Sequence, residues 1–599
     1  MMKTTEKLTA LRRAMAQRGL AAYLVLTDDF HASEYAGGYF KARAYLSGFT
    51  GSAGTLLVLP DRALLWTDGR YFLQAAEQLR GGGIELMRAG ERGVPTMETF
   101  LFDTLADGSC LGFDARTVST ALARRLGRRL SAKHIRFAGD EDLVDALWPD
   151  RPPLSAEPVW ELGVEYAGET RADKLARVRA AMAGEGADTF LVTALDEIAW
   201  LLNLRGNDVA CTPVFLGFLL LTETDAVLCV RRGAVGAAVE AALAADGVRL
   251  ADYESVYRLV SALPDGARVL LDGVTANYRL TQSVPAGVET LDRPSPIVPM
   301  KAVKNAVEQE NFRRAHLADG IALVRFLRWL KCDAVREGAT ELSAAAKLEA
   351  YRRADADYLE PSFEPILAYG PHAAVVHYEP TAETDVLLEA HGLLLADTGG
   401  HYCTGTTDVT RTVALGPLTA EEKRACTLVL RGHLALAAAR FRAGVTGENL
   451  DILARGPLWE QGLDYNHGTG HGVGYLLSVH EGPQRIHWSI ASNARHTALE
   501  PGMVFSDEPG LYLAERFGVR LENLLLVREA EENEYGRFLA LEPLTLAPFD
   551  RDAIDVPLLS DRELAQLNAY HAQVYETLAP YLGEADRAWL RGAAAPLAK

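Results

Sequence analysis

One helix-and-strand pattern is written twice into this chain, 167 positions apart, and it limits the fold more than any other feature. Leu8, Leu11, Arg12, Ala14, Met15, Ala16, Gly19, Leu24 and Val25 recur as Leu175, Val178, Arg179, Ala181, Met182, Ala183, Gly186, Leu191 and Val192. Each copy reads as an amphipathic helix, a glycine at its C-terminal end, then an apolar strand. Recurrence at a fixed offset marks duplicated structural units. Residues 1–160 and 161–302 are therefore expected to be two α/β domains of one fold. Trp148-Pro-Asp-Arg-Pro-Pro marks the end of the first. Neither copy carries a nucleotide loop, because no G-x-G-x-x-G follows a strand and no Walker lysine is present. Residues 303–599 read differently. Apolar residues fall at helical spacing over 312–330, Thr419-Ala-Glu-Glu422 looks like a capping box, and Thr446 is placed to cap a further helix. Antiparallel strand patterns lie among them, so this third domain is α+β. The tail beyond Pro548 ends in a helix rich in Leu and Tyr that should dock.

In the third domain, carboxylates flank His467-Gly-Thr-Gly-His471-Gly-Val-Gly. Asp397 and Asp408 lie upstream, in Leu-Ala-Asp-Thr-Gly and Thr-Thr-Asp-Val-Thr-Arg-Thr; Glu508 and Glu522 lie downstream, in Ser-Asp-Glu-Pro-Gly and Val-Arg-Leu-Glu-Asn. Taken singly, each has an ordinary reading as a turn or surface residue. Glu522 in an apolar strand is harder to set aside, because an unpaired buried carboxylate is costly. Together, Asp397, Asp408, His471, Glu508 and Glu522 can hold two divalent ions and make a hydroxide between them. The imidazole shifts preference towards Mn, Co, Fe or Zn and away from Mg or Ca. The apolar run 393–396 ends at Asp397, and alternation over 406–415 puts Asp408, Thr410 and Thr412 on one face. Asp397 and Asp408 are thus expected on adjacent paired strands. Residues 518–527 read as one strand carrying Glu522, with Arg520 on the same face as a partner for a ligand carboxylate.

The net charge of −19 argues against nucleic acid as a partner. No run approaches the roughly 20 apolar residues of a membrane span; the longest, 214–221, reads as a strand. The N-terminus is charged from Lys3 onward and shows no secretory signal. Six scattered cysteines without CxxC read as free thiols of a reducing cytoplasm. Cys403, between two ligand candidates, reads as a loop residue on a turn.

The five motifs in this order resemble the pita-bread metallopeptidases, the family of methionine aminopeptidase, prolidase and aminopeptidase P, over roughly 303–547. Val375-Val-His-Tyr378, Val479-His-Glu-Gly-Pro483 and Leu541-Glu-Pro-Leu-Thr-Leu546 are similar to the long, three-domain cytosolic Xaa-Pro aminopeptidases. So are Ser47-Gly-Phe-Thr-Gly-Ser-Ala-Gly54, Trp66-Thr-Asp-Gly-Arg-Tyr-Phe72 and Ala194-Leu-Asp-Glu-Ile-Ala-Trp-Leu201 in the first half. The resemblance implies two creatinase-N-like domains before a pita-bread catalytic domain. It also implies two bound metal ions, Mn2+ before Zn2+ or Co2+, and hydrolysis of the bond before a proline at the second position of a peptide. His377 and His480 are implied to contact substrate or the tetrahedral intermediate, and His467 to line the same pocket. Glu508 would combine metal binding with proton acceptance. Arg70 is implied as a substrate-side residue, against the simpler reading of an arginine paired with Asp68. His401 and His433 match no motif and read as surface. A homodimer in the cytoplasm is the accompanying expectation, with neither nucleic acid nor membrane as partner. The alternatives are a prolidase restricted to dipeptides and a pita-bread interaction module without metal. The five filled ligand positions speak against the second and against a creatinase-like metal-free hydrolase. The two extra domains speak against methionine aminopeptidase.

Overall fold

The structure, a computed structural model, describes residues 2–488 and 496–599. The chain forms two compact units, one of Met1–Val164 with Glu169–Ile297 and one of Glu165–Gly168 with Val298–Lys599.

The first unit holds two six-stranded sheets of one topology. In spatial order the first runs Glu85–Arg88, Ala63–Thr67, Thr55–Val58, Ala22–Leu26, Cys110–Gly112, Arg136–Ala138. The second runs Val248–Asp252, Ala226–Val230, Gly217–Thr222, Thr189–Val192, Arg268–Leu271, Glu289–Asp292. In both, the strand after the repeated helix pairs antiparallel on one side and parallel on the other. The apolar run 214–221 becomes a strand only from Gly217.

The repeated glycines show why the pattern survives twice. The Thr4–Gln17 helix closes with Gly19 N–H donating to Ala16 O (3.2 Å) and Leu20 N–H to Met15 O (3.0 Å). The Arg171–Gly184 helix closes in the same way, Gly186 to Ala183 O (2.9 Å) and Ala187 to Met182 O (3.1 Å). This closure needs the left-handed backbone region, and Gly19 and Gly186 sit there at φ 64° and 72°.

The second unit mixes helices with short antiparallel sheets. Leu393–Thr398 lies between Ile366–Tyr369 and Val409–Ala414. Val504–Asp507, Asn523–Asn533, Gly536–Pro543 and Arg440–Arg442 form a second sheet, and Gly510–Leu513 pairs with Phe517–Arg520. The helical periodicity over 312–330 belongs to the Ala306–Trp329 helix. Thr419 caps the Ala420–Ala437 helix in a reciprocal box with Glu422. Thr446 precedes the Gly447–Trp459 helix, its N–H donating to Asn449 Oδ1 (3.1 Å). The C-terminal Asp561–Leu578 helix docks by burying Leu567, Val574 and Leu578 in the core that also holds Val429 and Leu458.

Two strand expectations need correction. Residues 518–527 are not one strand: Phe517–Arg520 and Asn523–Asn533 pair with different partners, and Leu521–Glu522 form the joint between them. Asp408 stands one residue before Val409–Ala414, so Thr410, not Asp408, lies opposite Asp397. Sequence periodicity gives no sign of the first break, because every residue from Phe517 to Val527 is buried.

Candidate metal centre

Asp397 lies on the Leu393–Thr398 strand, in register with Ile366 and Thr410. The joint residue Glu522 is drawn to the same strand pair: its N–H donates to Thr410 O (3.0 Å), and Thr410 Oγ1 donates to Glu522 Oε2 (2.8 Å). Glu508 follows Val504–Asp507, its N–H donating to Thr469 O (2.8 Å). His471 enters on the two-residue strand Gly470–His471. The neighbouring glycines are dictated by crowding, since a Cβ on Gly470 would collide with Ser506 O and one on Gly472 with Glu481 O.

One ligand atom each from Asp408, His471 and Glu522 lies within 4.8 Å of the others. His471 Nε2 is 3.5 Å from Asp408 Oδ2 and 3.7 Å from Glu508 Oε1. Its Nδ1 is 3.0 Å from Gly472 O, which can only accept, so Nδ1 carries hydrogen and Nε2 is the ring atom left for a cation. Arg520 reaches Asp397 through Nε (3.1 Å) and Nη2 (2.5 Å), both on Oδ2.

The electrostatics suit cations. Burial raises the carboxyl pKa of Asp397, although Arg520 opposes the shift. Burial likewise raises Glu508, and it lifts Glu522 well above the usual range, with Asp408 and Asp397 adding to it. Burial alone would depress His471, but the Asp408 and Glu508 carboxylates outweigh it and raise the imidazole to about 9. Asp397 Oδ1 and Glu522 Oε1 are buried with no hydrogen-bond partner among the described residues. Unpartnered carboxylate oxygens, mutual repulsion and one imidazole are the donor set a pair of divalent ions satisfies.

His480 is half-buried with its ring centroid 4.3 Å from that of His471. His377 is half-buried too, and the preceding Val376 carbonyl accepts from Arg520 Nη1 (3.4 Å). His467 rests against Tyr465 and Tyr512. Arg520 Nη1 donates to the Tyr512 hydroxyl (2.7 Å), which is 2.9 Å from His467 Nε2, while His467 Nδ1 is 2.7 Å from Gly468 O. Because guanidinium only donates and carbonyl only accepts, a neutral His467 gives the chain one direction: Arg520 to Tyr512, Tyr512 to His467 Nε2, His467 Nδ1–H to Gly468 O. In the first unit, Arg70 Nε and Nη2 each lie 2.9 Å from Asp68, the pairing that was the simpler reading of that residue.

Reading His401 and His433 as surface is wrong, for both are buried. His401 Nδ1 contacts Thr406 Oγ1 (3.0 Å). His433 packs under the site with Nδ1 3.0 Å from Asp507 O and 3.2 Å from its carboxylate. Burial and then Arg411 push His433 down to about 3, and burial pushes the Asp507 carboxyl up. Cys403 is a half-buried turn residue, as expected.

Sequence reasoning missed Tyr512 and Arg411. Tyr512 looks like any alternating strand residue. Fully buried Arg411 donates to Glu522 O (2.7 Å), Thr410 O (2.9 Å), Asn523 Oδ1 (2.7 Å), Ala547 O (2.7 Å) and Tyr570 Oη (3.0 Å). A charged residue in a buried strand was the only signal available.

Comparison with known proteins gives the family. A profile of metallopeptidase family M24 matches residues 310–529, and one of the C-terminal region of that peptidase matches 537–597. Two profiles of the creatinase/prolidase N-terminal domain match 7–147 and 150–308. A probable Xaa-Pro aminopeptidase P of Laccaria bicolor is 39% identical, over 99% of this chain and 94% of its own. Aminopeptidase P2 of Arabidopsis thaliana is also 39% identical, over 99% and 89%. The crystal structure of X-prolyl aminopeptidase from Caenorhabditis elegans, described as a cytosolic enzyme with a di-nuclear active site, superposes with a TM-score of 0.95 at 35% identity, covering 100% of both chains. A Bacillus anthracis Xaa-Pro dipeptidase, 22% identical with a TM-score of 0.51, shares the fold over 64% of this chain. The chain belongs to the aminopeptidase P enzymes of metallopeptidase family M24, with two creatinase/prolidase N-terminal domains ahead of the peptidase domain.

Proposed function

We propose that this chain is a metal-dependent aminopeptidase that removes the N-terminal residue preceding a proline, with Asp397, Asp408, His471, Glu508 and Glu522 as ligands and Mn2+ as the ion. The observation that carries the reading is the convergence of Asp408, His471 and Glu522 within 4.8 Å, where buried oxygens of Asp397 and Glu522 lack any other described partner. Two cations held by these five residues would, when bound, supply activation of water and polarisation of the scissile carbonyl. The protein's side chains do the rest. Arg520 holds Asp397 by Oδ2 and leaves Oδ1 free for the site. Glu508, its carboxyl raised by burial, accepts the proton of the attacking water. His480, beside His471, donates to the carbonyl oxygen as charge grows on it, and His377 serves the same side of the substrate. A substrate role for Arg70 has to be met with its guanidinium fork already on Asp68. Proline selectivity is reasonable, since a tertiary amide with fixed φ resists general peptidases.

The test is mass spectrometry on Arg-Pro-Pro, Arg-Ala-Pro and N-acetylated Arg-Pro-Pro. Only the first should lose its N-terminal arginine. Equal cutting of the first two rejects the reading, and cutting confined to Xaa-Pro dipeptides favours a prolidase. Domains at 1–160, 161–302 and 303–599, a homodimer and a cytoplasmic setting complete the proposal. The two like sheets of the first unit support the boundaries, and free cysteines without CxxC support the setting. A monomer mass by light scattering at micromolar concentration would remove the dimer.

A further inference from the structure

The segment leading to His467 and His471 is gripped from below by the Gly447–Trp459 helix, and no ligand or pocket role accounts for that grip. Arg455 is fully buried, as is Asp451 one turn before it. Arg455 Nε donates to Asp451 Oδ2 (2.8 Å). Its other two nitrogens leave the helix: Nη1 donates to Tyr465 O (2.8 Å) and Asp464 Oδ1 (2.7 Å), and Nη2 donates to His467 O (2.7 Å). The second oxygen of Asp451 accepts from Thr469 Oγ1 (2.6 Å), and Thr469 Oγ1 also meets the Tyr465 hydroxyl (2.5 Å). Tyr465 lies with its ring under the guanidinium at 3.8 Å and beside the His467 ring at 4.8 Å. Thr469 O, in turn, accepts from the N–H of Glu508. One Asp–Arg pair thus fixes the main chain before His467, at His467 and between His467 and His471.

We propose that Arg455, oriented by Asp451, is the positioning residue that sets His467 and His471 for the reaction; the catalytic part of this rests on the aminopeptidase reading above. The geometry is of a kind a lysine cannot reproduce. A planar fork delivers donors to two carboxylates and two carbonyls at once, whereas an ammonium offers one point charge. A structural ion pair would need only the Asp451 contact. Here two of the four bonds go to backbone carbonyls of the histidine segment, where small displacements act on reacting atoms.

The substitution Arg455→Lys separates the roles, because it keeps a cation for Asp451 and loses the fork. Two readouts are taken on metal-loaded protein: amide exchange by mass spectrometry over peptides spanning 463–474, and kcat and KM on Arg-Pro-Pro. The expected result is exchange at least ~10-fold faster in that segment and unchanged elsewhere. With it, kcat should fall at least ~10-fold, KM should move less than about threefold, and bound metal and Tm should stay near wild type. Unchanged local exchange or unchanged kcat overturns the proposal. Faster exchange throughout, with normal kcat per folded molecule, also overturns it and makes the pair purely structural. If Arg455→Lys fails to fold, Thr469→Val decides by the same two readouts, since it leaves Arg455 in place and removes only the hydroxyl contacts to Asp451 Oδ1 and the Tyr465 hydroxyl. Failure of the wild-type protein to cut any Xaa-Pro peptide refutes the aminopeptidase reading instead, while the exchange data still judge the clamp.

Discussion

Asp397 is held from one side only. Arg520 occupies Oδ2 while Oδ1 is buried with no hydrogen-bond partner among the described residues, so the arginine fixes the carboxylate and leaves one oxygen over. The buried carboxylates repel one another, and removing one leaves an incomplete shell around the rest. Asp408→Ala is therefore expected to lose metal, by elemental analysis, and to lose activity with it; full turnover in metal-free protein would sink the mechanism. His480 separates chemistry from scaffolding. If it donates to the reacting oxygen, His480→Ala lowers kcat by roughly 10²-fold or more, with metal content and Tm retained. The contrary pattern, normal kcat with a lower Tm, would make it a packing residue. The carboxylates were singled out by their order around the histidine motif, since each alone reads as a turn or surface residue. Tyr512 and Arg411 were not, because their meaning lies in distant partners: Arg411 reaches Glu522 across 111 positions and Tyr570 across 159. His433 was misread for the same reason, since a single helical histidine says nothing of the Asp507 packed against it.

Helix caps and the docked tail were readable from local pattern, because a capping box or an apolar helix face is complete within a few residues. The joint at Leu521–Glu522 was not, since its break is set by pairing with two different strands. The tail helix makes two predictions. Leu567 is fully buried, so Leu567→Ala should cost about 2–5 kcal/mol, read from denaturant midpoints. His571 accepts from Phe549 N–H through Nε2 (3.1 Å), and burial, then Arg411, lowers it to about 4. A histidine depressed in the fold binds its proton more readily when unfolded. Its contribution is complete above the unfolded value of about 6.5 and is lost as pH falls towards the folded one, at up to ~1.4 kcal/mol per pH unit. Thermal stability should drop between pH 6.5 and 4, and His571→Gln should flatten that slope. An equally steep profile in the variant would mean that other groups dominate.

Across the whole molecule the duplicated half was the most legible part, because a constant offset of 167 carries helix, turn and strand together. The matching sheet orders extend it to strands that share no obvious residues. Ligand binding to the folded state alone stabilises by mass action, about 2.7 kcal/mol when free ligand is 100 times Kd. Chelation should accordingly lower both activity and Tm, and restored Mn2+ should recover them; a Tm indifferent to chelator would mean that the ions are not bound at the buried carboxylates. Arg411 has a bearing on the order of synthesis. Its guanidinium ties the Glu522 carbonyl to Ala547 O, Pro548 O and the Tyr570 hydroxyl. In synthesis those groups follow the two like sheets, which can fold first. A nascent chain therefore gains this brace on the Glu522 backbone in full only after Tyr570 has been made.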